Sequence, residues 1–188
     1  DDPEDAPYYL CCLVQNETGY RNLTLLISRA WQSNQHRGRA MIRREWLLEL
    51  NEGLILLSAA RAGDVGRLLV SEKTAEATER AREDQQVFGD RFYLEVQRTE
   101  RPGDEQCLHA TVALAAELGI PVVATNDVRF IDRDDFEAHE ARVCIHDGNT
   151  LDDPRRTRKY SEQQYLKTAD EMAELFSDLP EALENTVE

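Results

Sequence analysis

Four short apolar runs constrain this chain most. They lie near residues 8–14, 54–58, 91–97 and 120–125. Each is too short to span a bilayer, which needs roughly 20 apolar residues. Each reads as a buried strand, and segments of helical spacing separate them. Leu23, Leu26, Ile27 and Ala30 recur on one face of a helix over Tyr20–Trp31, and a short helix over Arg43–Leu50 stops before Gly53. Asp64 caps a helix through Leu69, and a more polar helix runs from Ser71 to Val87. Pro102-Gly103-Asp104 opens a helix with Leu108, Val112, Ala115 and Leu118 on its apolar face, closed by Gly119. Another runs from Asp134 to Ile145. Buried strands alternating with helices argue for an α/β fold with a parallel, helix-covered sheet. Four strands do not close a barrel, so the sheet is either open or part of a larger barrel.

The segment after residue 150 reads differently. Leu151–Tyr160 is loop-like, with Arg155, Arg156, Arg158 and Lys159 clustered behind Pro154. That cluster either touches phosphate or pairs with Asp152 and Asp153, the expected outcome for a solvated loop. Ser161 with Gln164, and Thr168 with Glu171, match the capping-box spacing and predict two helix starts. A last helix is expected over Glu181–Val187. The expected division is residues 1–150 as a barrel region and 151–188 as a loop and helical segment.

Charge narrows the functional classes. The chain of 188 residues carries 37 acidic and 22 basic side chains, a formal charge of −15. Such a surface repels nucleic acid over most of its area, so little direct DNA binding is expected. Lysine is confined to Lys73, Lys159 and Lys167, a balance compatible with a salt-adapted source. The start Asp1-Asp2-Pro3-Glu4-Asp5 lacks the marks of a signal peptide and reads as a piece of a longer chain. Cys11, Cys12, Cys107 and Cys144 have neither zinc nor redox spacing and read as buried small hydrophobes in a reducing compartment.

In parallel α/β folds the chemistry gathers beyond the C-terminal ends of the strands. That rim is expected to carry Gln15, Asn16 and Glu17 after the first strand, Ser58, Ala59, Ala60 and Arg61 after the second, then Glu95, Gln97, Arg98 and Thr99, then Thr125, Asn126, Asp127 and Arg129. Glu95 and Asp127 are its carboxylates with strand context. Arg98 and Arg129 either bind anions or pair with these two acids; pairing is expected, because an opposite charge is the cheapest neighbour for a partly buried carboxylate. No histidine lies on the rim. His36, His109, His139 and His146 read as surface or interior residues, and the seven-residue spacing of His139 and His146 is poor for clamping one ion. Phosphate-binding glycine loops and a nucleophile elbow at Ser58 are absent from the sequence.

Five ordered strings make a family resemblance specific. They are Asn16-Glu17-Thr18-Gly19-Tyr20-Arg21-Asn22-Leu23, Glu52-Gly53-Leu54-Ile55-Leu56-Leu57-Ser58, Phe92-Tyr93-Leu94-Glu95-Val96-Gln97-Arg98-Thr99, Pro121 to Phe130, and Asp178 to Thr186. In that order they resemble the alpha subunits of bacterial DNA polymerase III, within the N-terminal polymerase-and-histidinol-phosphatase (PHP) domain, and most nearly the proteobacterial branch. The resemblance implies the later part of a distorted (β/α)7 barrel in a cytoplasmic DNA-directed DNA polymerase.

Carried over residue by residue, the family's metal positions fall on Tyr9, Ala60, Glu95, Thr99, Asp127 and Arg129. Tyr9, Ala60, Thr99 and Arg129 stand where active members carry ligands. The resemblance therefore implies a degenerate site with no metal and no cofactor here; magnesium belongs to the parent's polymerase domain, which also binds primer-template DNA. It implies a scaffold that supports the polymerase and docks the proofreading exonuclease subunit, among other holoenzyme subunits. The competing readings are a metal-dependent phosphoesterase or 3'-5' exonuclease, and an unrelated barrel enzyme acting on an anionic small molecule.

Overall fold

The computed structural model describes residues 7–36 and 38–187. The acidic start, Asp1 to Asp5, lies outside them. Strands β1 (Cys11–Val14), β4 (Leu54–Leu57), β5 (Phe92–Gln97) and β6 (Val122–Thr125) form one sheet in that spatial order. Helices α1 (Glu17–Ser33), α2 (Arg44–Glu49), α3 (Asp64–Val70), α4 (Thr74–Phe88), α5 (Asp104–Leu118) and α6 (Phe136–Asp147) fill the intervals. Between α1 and α2 lies a two-stranded ribbon, β2 (Gln35–His36) with β3 (Arg39–Ala40), where only a polar loop is expected. Short helices α7 (Ala169–Leu175) and α8 (Glu181–Glu184) follow.

The parallel reading holds for β4, β5 and β6, which pair Leu56 with Phe92 and Leu94 with Val122. These strands are nearly continuous apolar runs because both their faces are covered. Leu54, Leu56, Phe92, Leu94 and Val96 are buried with Phe88 and Phe176 in the core. β1 departs from expectation twice. It runs antiparallel to β4, with Cys11 opposite Leu57 and Val14 opposite Leu54. It is also mostly exposed rather than buried, because it sits at the sheet edge with one hydrogen-bonded neighbour. Cys11 is accordingly exposed and Cys12 half-buried, while Cys107 and Cys144 are buried as expected. At the opposite edge, the Asn185 side chain donates to the Val122 carbonyl at 2.7 Å.

Two glycines explain why the first two family strings occur together. Asn16 caps α1 by accepting from the Gly19 N–H at 3.0 Å. Gly53, at φ +73, turns the chain into β4 directly against that cap. A Cβ on Gly19 would lie 1.9 Å from the Gly53 carbonyl oxygen, and one on Gly53 would lie 2.4 Å from Asn16 Oδ1. The helix start and strand start therefore meet backbone to backbone.

The chain from 151 onward packs back on the sheet. The Thr168–Glu171 capping box forms at the start of α7. The helix expected from Ser161 does not. Its Ser161 N–H still donates to Gln164 Oε1 at 3.0 Å, but the chain makes only a single turn at 162–163 and goes no further into a helix. Asn126 donates to the Tyr165 carbonyl at 2.6 Å, and Phe130 bridges to Tyr165 in parallel. These tertiary bonds override local helix preference. The last helix is shorter than expected, ending at Glu184.

A buried charge cluster ties α2 to the core. Arg44 reaches Asp84 of α4 at 2.6 Å, and Asp64 of α3 and Glu83 at 3.4 Å each. Arg80 adds a contact to Asp64 at 3.5 Å. One Asp84 oxygen and the Arg44 Nε are buried without a hydrogen-bond partner. Burial outweighs the arginine and lifts the Asp84 carboxyl to about 6.

Two outcomes follow. Gly19→Ala forces backbone apart and should destabilise the domain by about 2–3 kcal/mol, read as a lowered urea midpoint. Asp84 binds its proton more tightly in the native than in the unfolded chain, so its contribution to stability grows as pH falls through about 6 towards 4. The stability difference between the parent chain and Asp84→Asn should therefore move in the parent's favour between pH 7 and pH 5 in paired urea titrations. An equal difference at both pH values would show that Asp84 ionises normally.

Candidate functional site

The parallel strands deliver their polar residues to one rim. At the end of β4, Ser58 Oγ accepts from the Glu95 N–H at 2.9 Å. The chain then turns through Ala59 and Ala60, both at positive φ. Ala60 is buried and contributes no donor atom. Glu95 itself is 6% exposed. Its Oε1 accepts from Gln97 Nε2 at 2.8 Å and from the Thr125 hydroxyl, while Oε2 is buried without a partner.

Asp127 is held from three sides. Arg129 Nη2 lies 2.7 Å from Oδ1 and Arg101 Nη1 3.2 Å from Oδ2. The Gln164 side-chain amide donates to Oδ2 at 2.8 Å and to the Asp127 carbonyl at 3.1 Å. Gln164 is wholly buried, so segment 161–166, which turns at 162–163 before Tyr165 bridges to Phe130, crosses the rim as a strap fastened by this side chain. The Ser161 hydroxyl donates to the Thr99 carbonyl, a second anchor for the strap. Arg129 also stacks over Tyr160, 5.3 Å from its centroid.

Thr99 is wholly buried and faces Asp104. The Asp104 carboxylate accepts the Thr99 hydroxyl, the Thr99 N–H at 3.1 Å, and Arg61 Nη1 at 2.7 Å. Arg101 Nε donates in turn to Thr99 Oγ1 at 2.7 Å, which links this carboxylate to that of Asp127. Tyr9 lies apart, 61% exposed, tied by its N–H to the Ala62 carbonyl at 3.1 Å.

The expected ion pairs divide. Arg129 pairs with Asp127 as expected. Arg98 does not pair with Glu95: it grips Asp178 through two bonds at 2.6 and 2.8 Å, and Glu105 at 3.1 Å. Its side chain leaves the rim over Phe176 towards the end of α7, where it also donates to the Leu175 carbonyl at 2.7 Å. Arg98 holds the Asp178 carboxyl down at about 2.

Three of the four loop cations are spent, while Arg158 is exposed with no ion pair among the described residues. Arg155 turns onto Asp153, as expected for a self-neutralising loop, while Arg156 and Lys159 reach Glu140 and Asp147 of α6, each at 2.6 Å. The histidines do not converge: His139 is buried between Phe130 and Tyr160, whereas His36, His109 and His146 are exposed. Burial lowers the His139 pKa. Among the described residues, no three His, Cys, Asp or Glu side chains gather where one ion would touch them all.

Gln164, Arg101 and Asp104 are rim residues that sequence reasoning missed. Gln164 carries a visible signal, its spacing from Ser161, but that signal reads as a helix cap. Asp104 reads as the opening residue of α5, which it also is. The rim can thus neutralise and fasten most of its carboxylate oxygens; among the described residues, Glu95 Oε2 and Asn126 Oδ1 are buried there without a hydrogen-bond partner.

Comparison with known proteins agrees with this geometry. The PHP domain family matches residues 1–99. The chain is 60% identical over 187 residues to DNA polymerase III subunit alpha of Pseudomonas fluorescens, covering all of this chain and 16% of that protein. It is 60% identical over 186 residues to the Pseudomonas aeruginosa subunit and 58% over 184 residues to that of Escherichia coli K12, covering 98% of this chain and 16% of each relative. The chain thus spans about one sixth of the length of these relatives. No helix of the described residues is long and apolar enough to cross a membrane.

The two carboxylates should respond differently to loss of a partner. Asp104→Ala strands Arg61 and a buried Thr99 hydroxyl and should cost about 3 kcal/mol. Arg129 is 42% exposed and leaves Asp127 held by Arg101 and Gln164, so Arg129→Ala should cost less than about 1 kcal/mol. Thermal melts of the two variants check the order; a larger loss for Arg129→Ala would mean that Arg101 and Gln164 do not hold Asp127.

Proposed function

Because this chain belongs to the PHP domain family, we propose that it acts within a replicative DNA polymerase alpha subunit as a catalytically silent scaffold. It would support the polymerase part of the longer protein and dock the proofreading exonuclease subunit. The observation that carries the reading is the guanidinium of Arg129 on Asp127, doubled by Arg101 from the far side. A divalent ion needs several oxygen or imidazole donors converging on it. The residues present do not fit one. Ala60 has no donor, Thr99 is committed to Asp104, Tyr9 is out at the surface, and Arg129 places a fixed positive charge where a cation would sit.

The arginine supplies what a cation would otherwise supply to the fold: a positive charge 2.7 Å from Asp127 Oδ1 that holds the side chain in place. The strap then adds the Gln164 amide to the same carboxylate. On this reading the site keeps its framework without its chemistry. The parent's polymerase activity, its magnesium, its primer-template DNA and its cytoplasmic setting belong to the same proposal, supported by the identity to polymerase III alpha subunits. The second reading, a metal-dependent phosphoesterase, has one observation in its favour: the unpartnered Glu95 Oε2.

Metal content of the full-length alpha subunit, after dialysis against trace zinc and manganese, separates the two. The scaffold reading expects far less than one ion per chain by mass spectrometry. Two or three retained ions would overturn it in favour of the phosphoesterase. Arg129→His should leave the content unchanged, since Ala60, Thr99 and Tyr9 still supply no ligand set; tight uptake by that variant would contradict this account of the rim.

A further inference from the structure

One stretch of the chain reverses the charge of the rest. Between Glu17 and Glu45 there are six arginines and no aspartate or glutamate, in a protein of 37 acidic side chains. The stretch covers α1, the β2–β3 ribbon and the entry to α2.

It also presents unpartnered apolar surface. α1 buries one stripe, Gly19, Leu26 and Ala30. Tyr20, Ile27 and Trp31 follow at helical spacing on another, exposed by 63%, 46% and 51%. Just past the helix the ribbon brings up Met41, tied to Asn34 through its N–H at 3.0 Å and its carbonyl at 2.8 Å. Met41 and the adjacent Ile42 are exposed as well. Two aromatic rings and three aliphatic side chains along one helix and its following turn exceed the scattered apolar residues of an ordinary surface.

The charges around this surface decide what fits it. Arg21 is paired with Glu17 at 2.6 Å; Arg29 is paired with Glu49 at 3.1 Å and stacks over Trp46. Arg43 lies over the same Trp46 ring. Arg39 is exposed and has no carboxylate partner among the described residues. Nucleic acid needs several free cations facing phosphates, and here most are engaged. An apolar centre with a thin basic margin instead matches the usual build of a protein interface, aromatic anchors inside and steering charge outside.

We propose that α1 and the ribbon after it form a docking surface for an acidic amphipathic protein segment. Its apolar side chains would lie along Tyr20, Ile27 and Trp31, and its carboxylates would face Arg39. The inference rests on the scaffold reading, since it says where on the domain a partner subunit binds.

The test uses the full-length alpha subunit, with the purified proofreading exonuclease subunit as the probe. Tyr20→Ser/Trp31→Ser should weaken its binding by about tenfold or more, because central aromatics dominate interface energy. Arg39→Glu should weaken it by about threefold, with the parent affinity falling as salt rises. Primer extension by both variants should stay at the parent level. In the parent complex, hydrogen exchange along α1 should slow, a readout that needs no variant.

Binding that these substitutions leave intact, with protection elsewhere, would overturn the surface while keeping the docking reading. No binding by the parent subunit at all would overturn both. Variants that alter self-association or single-stranded DNA binding while exonuclease affinity is unchanged would overturn the proposal in favour of a second copy or nucleic acid.

Discussion

A carboxylate at this rim must find a partner, and for Asp127 and Asp104 the partner is arginine, while Glu95 is held by Gln97 and Thr125. Burial disfavours the charged form unless a nearby charge or hydrogen bond offsets it. Asp127 meets this demand with Arg129 and Arg101, and Asp104 with Arg61. Arg101 links the two carboxylates through Thr99, so the rim is one connected network. The strap follows from the same demand: Gln164 is buried because its amide completes the hydrogen bonding of Asp127. Once the strap lies there, α7 and α8 fall against the sheet, with Phe176 in the core and Asn185 on the β6 edge.

This arrangement separates framework from chemistry. The parallel strands place their residues where an α/β protein places a catalytic set. The side chains there are fastened to one another, and the Asp127 carboxylate is bonded by the Gln164 side chain of the strap. Adaptable surface lies elsewhere, on α1, which shows solvent a second apolar stripe. The rim thus carries a mostly fastened polar network, while α1 leaves apolar side chains exposed among the described residues.

Parts of the rim could be read without the structure, and their sequence distance explains which. Asp127 and Arg129 are two residues apart at a strand end, so their pairing follows from local geometry. Arg98 could not be read: its nearest acid in strand context is Glu95, but its partner is Asp178, eighty residues on. The antiparallel direction of β1 was hidden for a related reason. An apolar run looks the same in either direction, and its exposure depends on which neighbours it has. Ser161 and Gln164 show a local signal used for another purpose, since their capping spacing stabilises a single turn that a long-range bond keeps from continuing as a helix.

The sequence by itself determined the α/β class, the order of the four sheet strands with the main helices between them, and the family, because apolar periodicity, caps and ordered motifs are local. It also carried the expectation that Ala60, Thr99 and Arg129 make a poor ligand set, which the proposal of a scaffold rests on. Only the tertiary structure decided which arginine meets which acid, that segment 161–166 is a strap rather than a helix, and that α1 keeps an apolar face in solvent. Those outcomes depend on contacts between residues thirty to eighty positions apart, or on the neighbours a surface lacks, and no local pattern encodes either.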